Sequence, residues 1–352
     1  MKNIFLIAAL FGAYSSAPGA EKIILRLGHF PNVTHAQALI AHSLSRQGKG
    51  WFEQRLGPEV EVHWFVYNAG PSAMEALFAG SLDVSYVGPS AALNAYARSR
   101  GEEVRAIAGA TIGGSALVVQ PDGRIKQPED FRGKKVATPQ LGNTQDVSCR
   151  SWLTAHGFRI TQLGGDVQVV PTANPDQLSL FRRGTIDAVW TVEPWVSRLE
   201  LEAGGKSFVE EKDAITTILV SRAKFLKGHR QLAKRLAQAH AELTAWIDAH
   251  PAEAQKLVRD ELVAEMKHDI SADLIFHVWR RLRFTLADYF VTGFPPALGN
   301  SRKVIPYKGC QISARIGDRT GWFRCHKEHG SIRLVSELIR GGWRHSWSGN
   351  DE

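Results

Sequence analysis

Two stretches of the sequence, 74-MEALFAGSLDVSYV-87 and 178-LSLFRRGTIDAVWT-191, repeat one pattern at a distance of 104 residues. Each begins with apolar residues at helical spacing, reaches a glycine and continues into a short β-rich run. Because glycine readily takes the positive φ with which many helices end, the pattern predicts a helix, a turn and a strand. The matching residues are Met74/Leu178, Leu77/Phe181, Gly80/Gly184, Ser81/Thr185, Leu82/Ile186 and Asp83/Asp187. We expect one such unit in each of two lobes.

Strand and helix signals alternate along the chain up to about residue 220. β-rich runs at 23–27, 60–67 and 84–87 are separated by helical segments at 35–46 and 72–79. Such alternation predicts an α/β fold with helices on both faces of its sheets. The length of 352 residues exceeds the roughly 250 at which single cores begin to split, so we expect two lobes. After residue 220 the pattern becomes helical.

Small polar loops follow several of the predicted strands and precede helices: 31-PNVTH-35, 70-GPS-72, 88-GPS-90 and 142-GNTQ-145. Helix N-termini offer free backbone N–H groups and a positive dipole end, which suit an anion. Glycines in these loops also allow a ligand to approach the backbone closely. Alternatively, each hydroxyl is an ordinary helix cap. The candidate ligand-binding residues in these loops are Thr34, His35, Gly70, Ser72, Gly88, Ser90, Asn143 and Thr144.

The N-terminus has the three parts of a secretory signal peptide. A lysine at position 2 precedes an apolar run over 4–13 and small residues up to Ala20, which is the usual order of such a leader. The run is too short to span a bilayer, and no cysteine precedes Cys149 to carry a lipid anchor. We therefore expect residues 1–20 to contain the signal peptide, with cleavage after Ala17 or Ala20, and the protein to be free in the periplasm.

A formal net charge of +8 and a pI of about 9.4 would suit nucleic-acid binding. The basic residues are distributed along helix faces such as 224-KFLKGHRQLAKR-235, and export separates the protein from nucleic acid. We therefore expect no nucleic-acid partner, but a field that attracts small anions. The three cysteines are scattered, and His29 and His35 lack a metal-binding spacing. No metal and no cofactor are expected.

These features together resemble the periplasmic solute-binding proteins of ABC importers for nitrate, sulfonates and taurine. The resemblance lies in the signal peptide and four segments: 28-GHFPNVTHAQAL-39, 70-GPSAMEALFAGSLDVSYVGPSAAL-93, 128-PEDFRGKKVATPQLGNTQDVSCRSWL-153 and 186-IDAVWTVEPWVSRL-199. It covers about residues 20–290. It implies a two-lobed α/β fold of the type II-like periplasmic-binding-protein kind, with the ligand in a cleft between lobes that are joined by two crossings.

The resemblance places the first crossing near 111-TIGGSA-116, where paired glycines permit the dihedral changes of a hinge. The second crossing is expected near residues 214–220. Lobe one would then comprise 21–112 and 216–290, and lobe two 113–215. Gly114 and Ser115, at the first crossing, are further candidate ligand-binding residues.

Two more candidates lie at the end of the strand in the second repeat. Trp190 packs in the core or forms a wall of the cleft. Glu193 either caps the following helix or binds a positive group of a zwitterionic ligand. The sequence leaves both alternatives open.

The segment 291–352 breaks the pattern, with ten basic residues against five acidic ones and nine glycines. We expect an atypical basic tail that is disordered, frameshifted or a genuine extension.

The resemblance implies a binding protein and not an enzyme. It would capture a small anionic or zwitterionic solute of the sulfonate, taurine or nitrate class and deliver it to ABC permease subunits, as a monomer. One alternative is an enzyme like the pyrimidine-precursor synthases, which would need cysteine and histidine near the cleft. Another is a sensor module that signals lobe closure to a membrane receptor.

Overall fold

The computed structural model describes residues 22–161 and 164–285, together with the backbone of four short strands between 305 and 332. The predicted signal peptide and most of the predicted tail lie outside the described residues. The strands are β1 (Ile23–His29), β2 (Val60–Val66), β3 (Val84–Val87), β4 (Val104–Gly113), β5 (Ser115–Val119), β6 (Lys135–Thr138), β7 (Gln168–Pro171), β8 (Ala188–Val192), β9 (Lys206–Glu210), β10 (Ile215–Arg222), β11 (Leu282–Phe284), β12 (Ile305–Tyr307), β13 (Cys310–Arg315), β14 (Trp322–His326) and β15 (Ser331–Ile332).

Helices connect most of these strands. Two short 3-10 helices span Val33–His35 and Pro128–Phe131. The α-helices are α1 (Ala36–Arg46), α2 (Trp51–Leu56), α3 (Gly70–Ala79), α4 (Pro89–Arg98), α5 (Thr144–Ala155), α6 (Asn174–Arg182), α7 (Trp195–Ala203), α8 (Ala223–Gly228), α9 (Arg230–Ala249), α10 (Pro251–Met266) and α11 (Ala272–Trp279).

Two mixed sheets form the centres of the two lobes. The first has the order β11-β4-β10-β3-β1-β2, in which β1 is parallel to β2 and β3 while β10 is antiparallel to β3 and β4. The second has the order β7-β6-β8-β5-β9, in which β6 is parallel to β7 and β8. Strands β12 to β15 pair in a separate antiparallel sheet. The predicted α/β class is confirmed.

The chain passes between the two sheets twice, first between β4 and β5 and again between β9 and β10. At the first passage Gly113 and Gly114 have φ values of +83° and +74°, which residues with a side chain rarely adopt. A Cβ added to Gly114 would also lie 2.3 Å from Leu282 Cδ2. The passage therefore needs glycine for both its conformation and its space.

The repeated unit read from the sequence occurs in both sheets. Gly80 follows α3 with φ +77°, and Gly184 follows α6 with φ +67°. The carboxylate of Asp83 accepts a hydrogen bond from a backbone N–H of β1 at 3.1 Å, and that of Asp187 accepts one from β6 at 2.9 Å. Each aspartate thus joins its own strand to the parallel neighbour. This explains why the same residue recurs at that place.

Helices cover both faces of each sheet. On the first sheet, α1, α2 and α9 to α11 bury the larger apolar cluster, which includes Leu27, Leu39 and Leu236, while α3 and α4 bury Met74 and Leu77 on the other face. Full burial of one such side chain contributes about 1.5–3 kcal/mol. The second sheet has one cluster on each face. These cores fix the strand ends from which the site loops begin.

Candidate ligand-binding cleft

Five helix N-termini converge between the lobes. The 3-10 turn before α1, helix α3 and helix α4 come from the first sheet, and α5 and α6 come from the second. Each follows the carboxyl end of a strand that has a parallel neighbour, so their loops meet at one edge of each sheet. They surround a cleft lined by Phe30, Asn32, Thr34, His35, Asn68, Ala69, Gly70, Gly88, Ala91, Pro139, Asn143, Thr144, Gln145, Asn174, Val192 and Thr216.

All four loops predicted from the sequence contribute to this lining. The candidate residues that line the cleft are Thr34, His35, Gly70, Gly88, Asn143 and Thr144. The candidates that lie outside the lining are Ser72, Ser90, Gly114, Ser115, Trp190 and Glu193. The polar lining residues that the candidate set omitted are Asn32, Asn68, Gln145, Asn174 and Thr216. The signal for Asn174 was available, since it opens a helix after a strand as the other loops do.

The lining offers neutral hydrogen-bonding groups. In the described part of the chain it consists of amides, hydroxyls, one imidazole and apolar groups, without a Lys, Arg, Asp or Glu side chain. The residues that precede α3, α4 and α6, namely Ala69, Gly88 and Ala173, make no side-chain capping bond. The first-turn N–H groups of these helices therefore have no side-chain cap, and apart from that of Ser90, which donates to Thr144 Oγ1, they can serve other acceptors. Helix dipoles add positive potential at the same place, so the cleft suits an anion.

His35 acts as a neutral imidazole. It is buried, and its Nδ1 accepts a hydrogen bond from the backbone N–H of Phe30 at 3.3 Å. Burial, helped by the nearby His29, holds the pKa of His35 well below its ordinary value. A neutral ring whose Nδ1 accepts must carry its proton on Nε2. His35 therefore supplies an N–H donor and no fixed charge.

Thr144 and Gly88 bring the two lobes together at the cleft. The hydroxyl of Thr144, in the first turn of α5, accepts a hydrogen bond from the backbone N–H of Ser90 in α4 at 3.3 Å. A Cβ added to Gly88 would lie only 2.3 Å from Thr144 Oγ1. The approach therefore depends on glycine at position 88. Because Thr144 accepts from Ser90, its own hydroxyl hydrogen is available to a ligand.

Asn32 makes a second connection between the lobes. Its Oδ1 accepts hydrogen bonds from Trp195 Nε1 at 3.2 Å and from Asn174 Nδ2 at 3.5 Å. The backbone N–H of Val33 donates to the carbonyl oxygen of Glu193 at 3.0 Å. The loop after β1 thus contacts three parts of the second lobe.

Glu193 is fully buried beside α7 and away from the cleft lining. Its carboxylate accepts hydrogen bonds from Ser197 N at 3.1 Å and Ser197 Oγ at 2.8 Å, and pairs with Arg281 at 3.3 Å. Burial raises its pKa to about 7, against the opposing effects of Ser197 and Arg281. These contacts favour the hypothesis that Glu193 caps the following helix.

The other candidates outside the lining have structural partners. Trp190 is buried in the core of the second lobe, and its Nε1 donates to Ser115 Oγ at 3.3 Å. Ser72 Oγ donates to the carbonyl oxygen of Ala69 at 2.8 Å. Ser90 contributes its backbone N–H, which donates to Thr144 Oγ1. Gly114 contributes its positive φ to the passage between the sheets. These contacts give the residues structural roles outside the cleft lining.

This architecture defines a two-lobed protein of the periplasmic-binding-protein fold. The alkanesulfonate-binding protein SsuA from Xanthomonas axonopodis pv. citri bound to MOPS superposes with a TM-score of 0.63 at 17% identity, covering 78% of this chain and 91% of that one. The periplasmic nitrate-binding protein NrtA from Synechocystis PCC 6803 gives a TM-score of 0.60 at 16% identity, covering 79% and 83%. The fold predicted from the sequence is confirmed.

The chain belongs to the NMT1-like family, whose model matches residues 18–260. A "Putative aliphatic sulfonates-binding protein" of Bacillus subtilis is 24% identical over 262 residues, which are 73% of this chain and 75% of that protein. The taurine-binding periplasmic protein of Escherichia coli is 27% identical over 184 residues, which are 51% of this chain and 55% of that protein. The resemblance read from the sequence is thereby confirmed. Within the described residues, none of the helices combines the length and apolar character needed to span a membrane.

Proposed function

We propose that the protein is the solute-binding component of an ABC import system and captures a small anionic or zwitterionic solute of the sulfonate, taurine or nitrate class. The observation that carries this proposal is the cleft between two lobes, lined by helix N-termini and neutral donors. Such a lining binds an anion through backbone N–H groups and helix dipoles. The class of solute is supported by relatives named for aliphatic sulfonates and taurine.

The proposed ligand-binding residues are Thr34, His35, Gly70, Gly88, Asn143 and Thr144, joined by Asn32, Asn68, Gln145, Asn174 and Thr216. Thr144 is the preferred donor because its hydroxyl hydrogen remains free. Lobe one is proposed to comprise 21–112 and 216–290, and lobe two 113–215. The division of the strands between the two sheets supports this to within one residue, because β4 ends at Gly113 and β10 begins at Ile215. Closure of these lobes around the solute would form the complex that a permease receives.

A plain anion is expected to bind at least as tightly as its amino-substituted analogue. The described lining has no carboxylate, so an ammonium group would meet only neutral oxygens. Desolvation of that group would then go without full compensation. Glu193, the acid considered for this role, is bound to Ser197 and Arg281.

Binding without covalent chemistry is favoured over an enzyme on the same fold. Cys149 lies in the core of the second lobe, outside the cleft lining, and burial raises the pKa of its thiol. A buried neutral thiol is a poor nucleophile. The transport role further implies export to the periplasm, a monomeric receptor and permease subunits as partners. A sensing role would use the same cleft with a different membrane partner.

Scanning fluorimetry of the mature protein with nitrate, sulfate, bicarbonate, ethanesulfonate and taurine tests the proposal, with tetramethylammonium as a cationic control. An anion present at a hundred times its dissociation constant should stabilise the protein by about 2.7 kcal/mol. Thr144→Ala should weaken that anion about tenfold, by the loss of one hydrogen bond. Thr154→Ala, on the same helix but outside the lining, should not. Stabilisation by the cation alone, or equal weakening by both substitutions, would disprove the assignment.

A further inference from the structure

A second polar cluster lies in the first lobe, one residue before the loop that lines the cleft. His29 ends β1, His42 lies on α1 and Glu265 lies on α10. His29 Nε2 is 3.1 Å from His42 Nδ1 and 3.0 Å from Glu265 Oε1, and His42 Nδ1 is 3.3 Å from Glu265 Oε1. Three atoms that can each present a lone pair thus form a nearly equilateral triangle.

The centre of the cluster is crowded with atoms that can accept hydrogen bonds. His42 Nδ1 also faces Glu261 Oε1 at 2.8 Å. Each imidazole nitrogen at the centre can carry at most one proton, and an ionised carboxylate carries none. The side chains of His29, Glu261 and Glu265 are at most 2% exposed, so water gives little compensation. Glu265 Oε2 is buried without a hydrogen-bond partner in the described structure.

The charges of the cluster are also incompletely balanced. Arg46 Nε donates to both oxygens of Glu261 at 2.9 and 3.0 Å, whereas Glu265 pairs in the described structure with the imidazoles of His29 and His42. With neutral imidazoles Glu265 is a buried carboxylate without a cationic partner, which is costly. A positive species at the centre of the triangle would satisfy both the charge and the lone pairs.

We propose that His29 Nε2, His42 Nδ1 and Glu265 bind a divalent transition metal, with zinc as the best fit. Two ligand atoms ~2.0–2.1 Å from a tetrahedral zinc lie roughly 3.3–3.4 Å apart, and the observed separations of 3.0, 3.1 and 3.3 Å are within a few tenths of an ångström. Two imidazoles and one carboxylate form a ligand set that zinc accepts. The fourth position would go to Glu261 or water.

The surroundings orient these ligands as metal sites require. His29 Nδ1 lies 3.4 Å from the carbonyl oxygen of Phe30, which directs Nε2 toward the centre. The His42 ring stacks on Trp64, with 4.8 Å between centroids and 10° between planes. Such outer contacts fix the orientation of metal-binding histidines. The metal would join β1 and α1 to α10, and would hold the start of the cleft loop.

Zinc titration by calorimetry tests the site on the untagged full chain after treatment with chelator and dialysis. We expect about one zinc per chain, with affinity lowered at least ~100-fold in Glu265→Gln and in His42→Gln. The matched control is His63→Gln, because His63 pairs with Glu61 at 2.7 Å on the exposed surface; it should bind as the wild type. Failure of the wild-type chain to bind zinc would overturn the proposal, as would equal binding by all variants.

Cobalt substitution gives a second readout that needs no variant. Tetrahedral Co²⁺ bound to nitrogen and oxygen should show visible absorption without a thiolate charge-transfer band in the near ultraviolet, and zinc should displace it. A thiolate band would assign the metal to cysteine and overturn the proposal. Far-ultraviolet circular dichroism identifies a variant that fails to fold, in which case the cobalt spectrum of the wild-type chain decides.

Discussion

Replacement of Gly88 by alanine is expected to weaken ligand binding while leaving the protein folded. Gly88 has φ −67° and ψ 141°, values that alanine adopts without strain. The added Cβ would nevertheless lie 2.3 Å from Thr144 Oγ1 and 3.2 Å from Thr144 Cβ on the opposite lobe. Comfortable carbon contacts begin at about 3.5 Å. The lobes would therefore have to stay roughly 1 Å further apart at this point.

The magnitude follows from two costs that arise only on closure. Loss of the hydrogen bond from Ser90 N to Thr144 Oγ1 costs about 0.5–1.5 kcal/mol, and the steric conflict adds about 1–3 kcal/mol. Together they correspond to a roughly tenfold to thousandfold weaker dissociation constant. Alanine is a poorer N-cap than glycine, but it also reduces the entropy of the unfolded chain, by about 0.4–1 kcal/mol. The free energy of unfolding without ligand should thus change by less than about 1 kcal/mol.

Calorimetric titration with the anion found by fluorimetry, paired with urea denaturation, measures both quantities. Gly228→Ala is the matched control, because nothing lies within 4 Å of a Cβ added there. Thr144→Ala removes the oxygen in conflict, so in the Gly88→Ala background it should restore part of the affinity. Wild-type affinity in Gly88→Ala, or simple additivity of the two substitutions, would refute the reasoning.

Burial raises the pKa of Glu193 to about 7 from an ordinary value near 4.5. The free energy of unfolding that protonated Glu193 contributes is therefore fully present below pH 4.5 and is lost as the pH rises to about 7. Across that window, urea denaturation should show the wild type losing up to ~3 kcal/mol relative to Glu193→Gln; parallel profiles would contradict this. Glu193→Gln should also change the affinities for taurine and ethanesulfonate by the same factor in calorimetry, whereas selective weakening of taurine would restore the ammonium-binding role. Gly114→Ala should lower the free energy of unfolding by about 1–3 kcal/mol and diminish the ligand-induced decrease in radius of gyration; an undiminished decrease in small-angle scattering would remove the hinge. A chain that ends at Phe290 should keep the thermal shift produced by ligand, and loss of folding and binding would show that the tail completes lobe one.

The general plan of the cleft could be predicted because its signals are local in sequence. Gly80 and Gly184 mark a helix end by a conformation that other residues avoid. The polar loops follow strands directly, and the carboxyl ends of parallel strands meet at one edge. From these rules the four loops, and the residues Thr34 and Thr144 within them, could be assigned to one place.

Contacts between distant segments could not be predicted in this way. Asn32 meets Asn174 and Trp195 across 142 and 163 residues of chain, and no local pattern pairs them. Trp190 posed a different difficulty, because every residue of β8 is buried and the usual alternation that identifies the outward face is missing. The cluster of His29, His42 and Glu265 likewise depends on the packing of α10 against α1.

Around the cleft lining the lobes are joined by neutral hydrogen-bonding groups, whereas Arg281, near the passage between the sheets, pairs with Glu193 and Glu200. Neutral hydrogen bonds exchange readily with those of water, and each contributes only about 0.5–1.5 kcal/mol. We therefore expect the open and closed states of the two lobes to be similar in free energy. The free energy of binding one small solute is then enough to shift the population toward the closed state. In the described structure the ion pairs between the lobes, such as those of Arg281 with Glu193 and Glu200 and of Arg283 with Asp213, lie near the passage between the sheets, so opening at the cleft lining should depend little on ionic strength. If the protein acts as the proposed receptor, the readiness of its empty form to close would then stay the same as the salt concentration around it changes.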